Sequence, residues 1–232
     1  MSPLIPLASP AGAALLEEAT TRLDLIAGHR RQVGLTMCGV RTLCLVLSAG
    51  KAVEFDDTLN EHSKDTHEQQ LLAKRRGDVG PSLLDIETSG MSLPQFVEMV
   101  TDLDVPGLSG VDIHHADDSP ELRSAEDLRR LLLAGIDRPT TFPVVNYHMT
   151  TLGQGTGDLR GHFSPVAAYH EDQDAFLVMD TWTTTEPVFA KTADLWRSIN
   201  TPDSASGKQR GVALVTITPQ STDAAVEAPP SK

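Results

Sequence analysis

The chain has 232 residues, of which 40% are hydrophobic and 22% charged, a composition typical of a globular protein with a substantial core. Its formal net charge of −13 opposes binding to nucleic acid phosphates and to anionic lipid, so neither is an expected partner. No stretch approaches the ~20 consecutive apolar residues of a membrane span, and no secretory leader pattern is present, so we expect a cytoplasmic protein.

Before residue 140 the pattern predicts mainly helices, most of them marked by a capping residue at the start or a glycine at the end. The predicted helical segments are, in chain order, one beginning at Ser9-Pro10, Cys38 to Ala49, part of the charged stretch 54–80 around Glu68 to Lys74, Ser92 to Val100, and Ser124 to Leu133.

The second half changes to short β-rich runs separated by polar turns. The predicted strands are Thr141 to His148, His162 to Tyr169, Ala175 to Asp180 and Val212 to Ile217. A helical first half followed by an antiparallel second half predicts an α+β fold in one domain. We place that domain at residues 1–218 and predict a disordered tail at 219–232, which has few large apolar groups.

The two cysteines have different predicted roles. Cys38 and Cys44 are six residues apart in one apolar helix and therefore point to different sides, which disfavours a disulfide. Cys38 opens that helix, where the dipole stabilises a thiolate and makes the residue a candidate nucleophile. The plain alternative is a buried structural cysteine.

A thiol nucleophile needs a base, and the base needs a group that orients it. His162 begins one predicted strand and Asp180 ends the next, so pairing of the two strands brings both side chains to the same end of the hairpin. Gln32 precedes Cys38 by six residues, and its amide can donate to an oxyanion beside the Cys38 N–H. The alternatives are a core histidine, a turn-forming aspartate and a surface glutamine in a basic loop.

Several motifs together resemble the phytochelatin synthases, especially their shorter bacterial members. The segment from Gln32 to Cys38-Gly39 resembles the family's active-site entry, and Gly161 to His170 (GHFSPVAAYH) resembles its histidine motif. Further matching segments are Ala8 to Gly12, Glu18-Ala19, Leu152 to Gln154, Gly157, Leu195-Trp196, Asp203, Gly207 and Arg210-Gly211.

The resemblance implies a papain-like fold and a mechanism. In the family, the cysteine attacks the Cys–Gly amide of glutathione, releases glycine, and passes the γ-glutamylcysteinyl group to an amine or to water. Carried over by position, Cys38 is the nucleophile, His162 the base, and Asp180 its orienting group, while Gln32 completes the oxyanion hole.

The resemblance also implies a donor pocket, in which Asp203 and Arg210 hold the γ-glutamyl end and Gly161 lines the site. Without the family, Asp203 and Arg210 would be predicted to lie in a solvated charged loop. The implied substrate is glutathione or a related γ-glutamyl or acyl thiol. No cofactor is expected, although a divalent metal ion can enter as a thiolate of the substrate. The sequence leaves open whether the protein forms a homodimer.

Metal binding by the chain itself is not predicted. His62 with His67, and His114 with His115, are isolated pairs in polar stretches, where solvated surface is the expected setting.

The sequence retains the triad of the family and departs from the family pattern at positions expected to shape the substrate pocket. The departures are Met37 in place of an aromatic residue, Ala167-Ala168 in place of paired glycines, an insertion at Asp158 to Arg160, and a stretch 54–80 without the usual aromatic segment. Two alternatives therefore remain open. One is an amide-forming acyltransferase with a donor other than glutathione, and the other is a catalytically silent binding protein.

Overall fold

The fold was examined in a computed structural model that describes residues 2–56, 66–155 and 161–218. Within those ranges the structure combines helices with antiparallel sheet, so the fold class is α+β. The helices are α1 (Pro10–Glu18), α2 (Leu23–Ala27), α3 (Cys38–Ala49), α4 (His67–Leu72), α5 (Leu83–Ser89), α6 (Leu93–Asp102), α7 (Ala125–Ile136), α8 (Met149–Leu152) and α9 (Thr192–Ile199). The strands are β1 (Ile5–Pro6), β2 (Thr20–Thr21), β3 (Leu108–His115), β4 (Thr141–His148), β5 (Gly161–His170), β6 (Ala175–Val178), β7 (Val188–Lys191), β8 (Pro202–Asp203), β9 (Lys208–Gln209) and β10 (Gly211–Ile217).

The main sheet has the strand order β1-β7-β6-β5-β4-β10-β3, and β2 pairs with β5. All of these pairs are antiparallel. Strand β5 lies near the middle, and every residue after Gly161 in it is buried. A strand covered on both faces needs an almost continuous apolar run, which Phe163 to Tyr169 supplies.

Helices cover both faces of the sheet and divide the core into two clusters. Because neighbouring residues of a strand point to opposite faces, Val144 joins one cluster and Val145 the other. The first cluster contains the apolar residues of α3 and α6, and the second those of α7 and α9. The central sheet is therefore buried between two helical layers.

Helix α3, which begins at the predicted nucleophile Cys38, is almost entirely buried. Ten of its twelve residues are buried, which explains why it is apolar on all sides. Thr42 Oγ1 donates to the Phe163 carbonyl at 3.0 Å, and Phe163 stacks on Phe96 of α6. These contacts fix α3 against β5, the strand that carries His162.

Three expectations need correction. The first half is not purely helical, because β3 forms an edge of the sheet beside β10. The strand expected to end at Asp180 ends at Val178, so Asp180 lies in the segment that follows it. His115 is not solvated surface, since it is only 5% exposed and its Nδ1 lies 2.7 Å from the Gln209 carbonyl.

Some expectations fall outside the described residues. These are the tail at 219–232, the insertion at Asp158 to Arg160, Gly157, and His62. In the described part of the chain, no helix combines the length and apolar character needed to cross a membrane.

Candidate active site

Cys38 occupies the first position of α3, and its side chain is buried. No side chain caps this helix, so the backbone N–H groups of its first turn remain free to interact with the thiol or with a substrate oxygen. Gly39 packs closely against its neighbours: a Cβ there would displace the flexible end of Met91 and touch Phe96 and Phe163.

His162 and Asp180 form a fully buried pair. His162 Nε2 lies 2.9 Å from Asp180 Oδ1, and neither side chain is exposed. Since Nε2 is engaged by the carboxylate, Nδ1 is the nitrogen that can meet the Cys38 thiol. Within the described residues Nδ1 has no well-aligned hydrogen bond, and its contact with the Cys38 thiol is a loosely aligned one. Long or poorly aligned contacts of this kind are common at catalytic sites without substrate.

The electrostatics couple these groups. Burial raises the pKa of the Cys38 thiol, but the hydrogen bond and charge of His162, with the backbone N–H groups of Phe163 and Gly39, outweigh it and lower that pKa overall. Burial lowers the pKa of His162, but hydrogen bonds to Asp180 and Cys38 and the charges of both raise it to about 9. The pair therefore favours the imidazolium at neutral pH and stabilises the Cys38 thiolate relative to an isolated buried cysteine.

The Asp180 carboxylate accepts three well-formed hydrogen bonds. Oδ1 accepts from His162 and from the Trp182 N–H at 2.8 Å, and Oδ2 accepts from Gln154 Nε2 at 2.6 Å. Burial raises the Asp180 pKa, but the hydrogen bond and charge of His162 and further donors lower it overall. The ionised carboxylate is therefore stable in a site from which water is excluded.

Two aromatic rings fix the plane of the imidazole. Tyr147 and Trp182 each contact His162 edge to face, with ring centroids 5.6 and 5.8 Å away. Their edges limit rotation of the imidazole and keep solvent away from the His162–Asp180 hydrogen bond.

Gln32 is buried rather than exposed on a basic loop. Its backbone N–H donates to the Thr181 carbonyl at 2.7 Å, which ties it to the segment that follows Asp180. Its Nε2 donates to the Gly34 carbonyl at 2.8 Å, and an amide nitrogen still has a second hydrogen to donate. His29 Nε2 binds the Asp180 carbonyl at 2.7 Å and reinforces the same junction.

A cavity of about 390 Å³ extends from Cys38 to Arg210. The three residues expected to bind substrate, Gly161, Asp203 and Arg210, all line it together with Cys38. The structure therefore brings the expected nucleophile and the expected donor pocket into one space.

Arg210 is buried, and one edge of its guanidinium is free within the described residues. Nη1 donates to the carbonyls of Thr201 and Pro202, whereas the buried Nε has no partner. The Nε and Nη2 atoms lie against Gly161, where an added Cβ would come within 3.1 Å of Nε and 3.2 Å of Nη2. This unpartnered edge matches a carboxylate, which binds guanidinium through two parallel hydrogen bonds.

Burial lowers the pKa of Arg210, and the charge of Asp203 partly offsets that effect. The Asp203 carboxylate also accepts hydrogen bonds from the Ala205 N–H and the Ser206 hydroxyl within its own turn. The cavity thus has a cationic wall at Arg210 and an anionic wall at Asp203.

Sequence reasoning did not select two buried amides at this site. Gln154 holds Asp180, as described above. Asn146 lines the Cys38 cavity and donates through Nδ2 to the His162 carbonyl at 3.3 Å, while its buried Oδ1 has no partner in the described structure. Gln154 stood in a segment already compared with the family, but an isolated Asn in a strand gives no signal of its own.

In the described part of the chain, no group of three or more His, Cys, Asp or Glu side chains is arranged to hold a metal ion. The two cysteines are both free thiols.

Comparison with known proteins gives one family and several relatives. The phytochelatin synthase family matches residues 1–212. Glutathione gamma-glutamylcysteinyltransferase 3 of Lotus japonicus is 40% identical over 73 residues, which are 31% of this chain and 15% of that protein. The glutathione gamma-glutamylcysteinyltransferase of Schizosaccharomyces pombe is 28% identical over 179 residues, which are 77% of this chain and 39% of the relative. The chain thus spans well under half the length of these relatives.

Proposed function

This chain belongs to the phytochelatin synthase family, and from that premise we propose that it cleaves the Cys–Gly amide of glutathione and transfers the γ-glutamylcysteinyl group to an amine or to water. The observation that carries the proposal is one cavity lined by both Cys38 and Arg210, whose buried Nε has no partner within the described residues. We infer a papain-like fold, with residues 1–218 as the catalytic domain. It is supported by a cysteine at a helix N-terminus packed against an antiparallel sheet that carries the histidine.

The first half-reaction begins at the thiolate. Cys38 Sγ attacks the carbonyl carbon of the Cys–Gly amide, and the oxyanion is stabilised by the Cys38 N–H and the second hydrogen of the Gln32 amide. His162, held as imidazolium by Asp180, gives its proton to the departing glycine nitrogen. The product is a γ-glutamylcysteinyl thioester on Cys38.

Donor recognition uses the far end of the cavity. The free edge of Arg210 binds the α-carboxylate of the γ-glutamyl group, and Asp203 attracts its ammonium. Asn146 Oδ1, a buried acceptor near Cys38, takes an N–H of the donor and so satisfies a group that otherwise stays unpaired.

The second half-reaction reverses the proton movement. His162 accepts a proton from an attacking amine or water. The γ-glutamylcysteinyl group passes from Cys38 to that nucleophile, and Cys38 leaves as the thiolate. A divalent metal ion enters this scheme as a thiolate complex of the substrate.

Intact-mass measurement after incubation with glutathione tests the proposal. We expect a mass gain equal to one γ-glutamylcysteinyl group, together with released glycine. Cys38→Ala should abolish both, and the matched control Cys44→Ala, at the other buried cysteine, should retain them. Absence of the adduct and of glycine from the unaltered protein would overturn glutathione as donor and favour the acyltransferase with another donor.

A second pair of variants tests the donor pocket. Arg210→Ala should lower kcat/KM for glycine release about 100-fold, since it removes a charge-assisted bidentate contact. Lys208→Ala removes a nearby cation whose ion pair with Asp118 is exposed, and it should leave the rate unchanged. Equal effects of the two variants would contradict the assigned role of Arg210. Turnover of any acyl donor through Cys38 would exclude the silent binding protein.

A further inference from the structure

A second cavity, of about 650 Å³, lies beside the segment 33–37 that leads to Cys38. It is bounded by that segment and by residues of α4 and α5. Its size is within the range of small-molecule sites. We call it the side cavity. Its main apolar walls are Val33, Leu35, Met37, Leu72 and Leu83.

The side cavity meets the Cys38 cavity at two residues. Leu35 and Thr36 line both spaces. Thr36 Oγ1 donates to the Glu87 carbonyl at 3.0 Å, which fixes this shared wall to α5. Because Leu35 and Thr36 line both spaces and Thr36 is two residues before Cys38, a molecule in the side cavity lies directly beside the cavity that contains the nucleophile.

The two cavities differ in charge. None of the residues that line the side cavity is basic. Its two carboxylates are Glu68, which is neutralised by a bidentate contact with Arg41, and Glu87, which is exposed and has no ion-pair partner within the described residues. An apolar space with one unpaired carboxylate attracts an ammonium group and repels a carboxylate.

We propose that the side cavity is the acyl-acceptor site and that it takes a primary amine with an apolar body and no carboxylate. The inference rests on the proposed function, because it assigns the second substrate of the same Cys38 site. Glutathione itself carries two carboxylates and little apolar surface, so it is a poor acceptor here.

The transfer step is balanced by the groups already described. The bound ammonium first loses one proton to solvent, after which the neutral amine nitrogen attacks the thioester carbonyl, a C–N bond forms, and the C–Sγ bond to Cys38 breaks. The amine proton passes to His162, and Cys38 leaves as a thiolate, so the thiolate–imidazolium pair is restored. The product is an amide of the apolar amine.

The experiment compares phenethylamine with phenylalanine, two acceptors that differ only by the carboxylate. The enzyme is acylated with glutathione, and amide formation is measured by mass spectrometry against hydrolysis. Each rate is corrected for the reactivity of the same amine toward p-nitrophenyl acetate in buffer. We expect phenethylamine to exceed phenylalanine by at least about tenfold in kcat/KM.

Matched variants locate the effect. Leu83→Ser alters a cavity wall and should raise the KM for phenethylamine about fivefold to tenfold. Leu84→Ser alters the next residue of the same helix, which is exposed and does not line the cavity, and it should change nothing. Glu87→Lys should reduce the preference for phenethylamine over phenylalanine. Glycine release from glutathione should be unaffected by all three variants, since the donor binds elsewhere.

Failure of the proposed function and failure of this inference give different results. If glutathione releases no glycine, the donor assignment fails, and acylation by p-nitrophenyl acetate still permits the acceptor comparison. If Cys38 accepts neither donor, calorimetric binding of phenethylamine to Cys38→Ala, with and without Leu83→Ser, decides the question. The inference is overturned if the enzyme uses the two acceptors equally. It is also overturned if Leu83→Ser changes neither the use nor the binding of phenethylamine.

Discussion

At the scale of single residues, Cys38 and Cys44 show how the surroundings decide the chemistry of a thiol. Both are buried in α3, and burial alone raises the pKa of a thiol. Cys38 faces His162 and free N–H groups, which lower its pKa, whereas Cys44 faces the Arg41–Glu68 pair and keeps a strongly raised pKa. Cys44 is therefore an internal reference for measurements on Cys38.

We expect alkylation of Cys38 by iodoacetamide to become fast at a lower pH than for an ordinary thiol, because the lowered pKa of Cys38 populates the thiolate below the ordinary range. Glycine release should follow a bell-shaped profile. It rises through the Cys38 pKa and falls as pH increases through about 9, where His162 loses the proton needed by the leaving amine. Mass spectrometry of the alkylated protein and a glycine assay over pH give both profiles.

The control for this pH dependence is His162→Ala. Without the imidazolium, burial dominates, and the inflection for alkylation should move above the ordinary thiol pKa of 9.0. An unchanged inflection in His162→Ala would contradict the coupling of the two groups. Cys44 should stay unmodified throughout.

A second prediction concerns Gln154, which orients Asp180 rather than touching the substrate. Gln154→Leu leaves Oδ2 of a buried carboxylate without its 2.6 Å donor, a loss on the order of 1–3 kcal/mol. We expect kcat for glycine release to fall roughly 10- to 100-fold with a smaller change in KM. The pKa of His162, read from the high-pH limb, should shift as well.

The matched control is Gln173→Leu, at an exposed position of the turn between β5 and β6. It should retain full kcat. A Gln154→Leu enzyme with normal kcat and an unchanged pH profile would show that Asp180 does not need this amide.

The residue patterns led to part of this site and missed the rest for a physical reason. Cys38, His162 and Asp180 stand in recognisable local contexts, and the structure brings them together, while their catalytic roles remain predictions. Asn146 and Gln154 act through hydrogen bonds between elements distant in the chain. A single amide in a strand or loop does not indicate which partner the fold will give it.

At the scale of elements, a buried ion pair braces the segment before Cys38. Arg41 of α3 binds Glu68 of α4 through Nε at 2.9 Å and Nη2 at 2.5 Å. Glu68 Oε1 also accepts the Val33 N–H at 2.9 Å. The carboxylate thus links two helices to the segment that joins Gln32 to Cys38.

Arg41→Met should lower the free energy of unfolding by about 3–5 kcal/mol, because it leaves the Glu68 charge buried without its cation. Adding Glu68→Leu should recover most of that loss, since no charge is then left unpaired. Urea denaturation measures both variants. Arg130→Met, which breaks a solvent-exposed pair with Asp127, is the control and should cost less than about 1 kcal/mol.

The outcome that would contradict this account is an equally small loss of unfolding free energy for Arg41→Met and Arg130→Met.

The Arg41–Glu68 ion pair could not be predicted from the sequence, because Glu68 lies in a charged stretch that favours solvent exposure. The helix at Cys38 to Ala49 was predictable, since an apolar run ended by Gly50 carries its own signal. Strand β3 was not, because Leu108 to His115 mixes glycine, aspartate and histidine and is defined by its pairing with β10.

At the scale of the whole molecule, the net charge of −13 affects how an anionic donor arrives. Glutathione, the proposed donor, carries a net negative charge at neutral pH, so we expect the protein to repel it until it reaches Arg210. Raising the ionic strength from about 10 mM to about 150 mM shortens the Debye length from ~30 to ~8 Å. We expect kcat/KM for glutathione to rise about twofold or more while kcat stays constant.

Steady-state glycine release over a salt series measures this effect. Acylation by neutral p-nitrophenyl acetate is the control and should show no such dependence. A fall in kcat/KM for glutathione with increasing salt would mean that Arg210 dominates the long-range field as well as the local one.

The packing of α3 against β5 has a consequence for the timing of reactivity. His162 and Phe163, which lower the pKa of Cys38, belong to a strand translated long after it, and that strand is held in place by β4 before it and by β6 after it in the chain. On the ribosome, Cys38 therefore lacks these neighbours and is an ordinary thiol. It becomes a reactive thiolate only when the sheet closes and covers it, so the order of synthesis protects the nascent chain from premature modification.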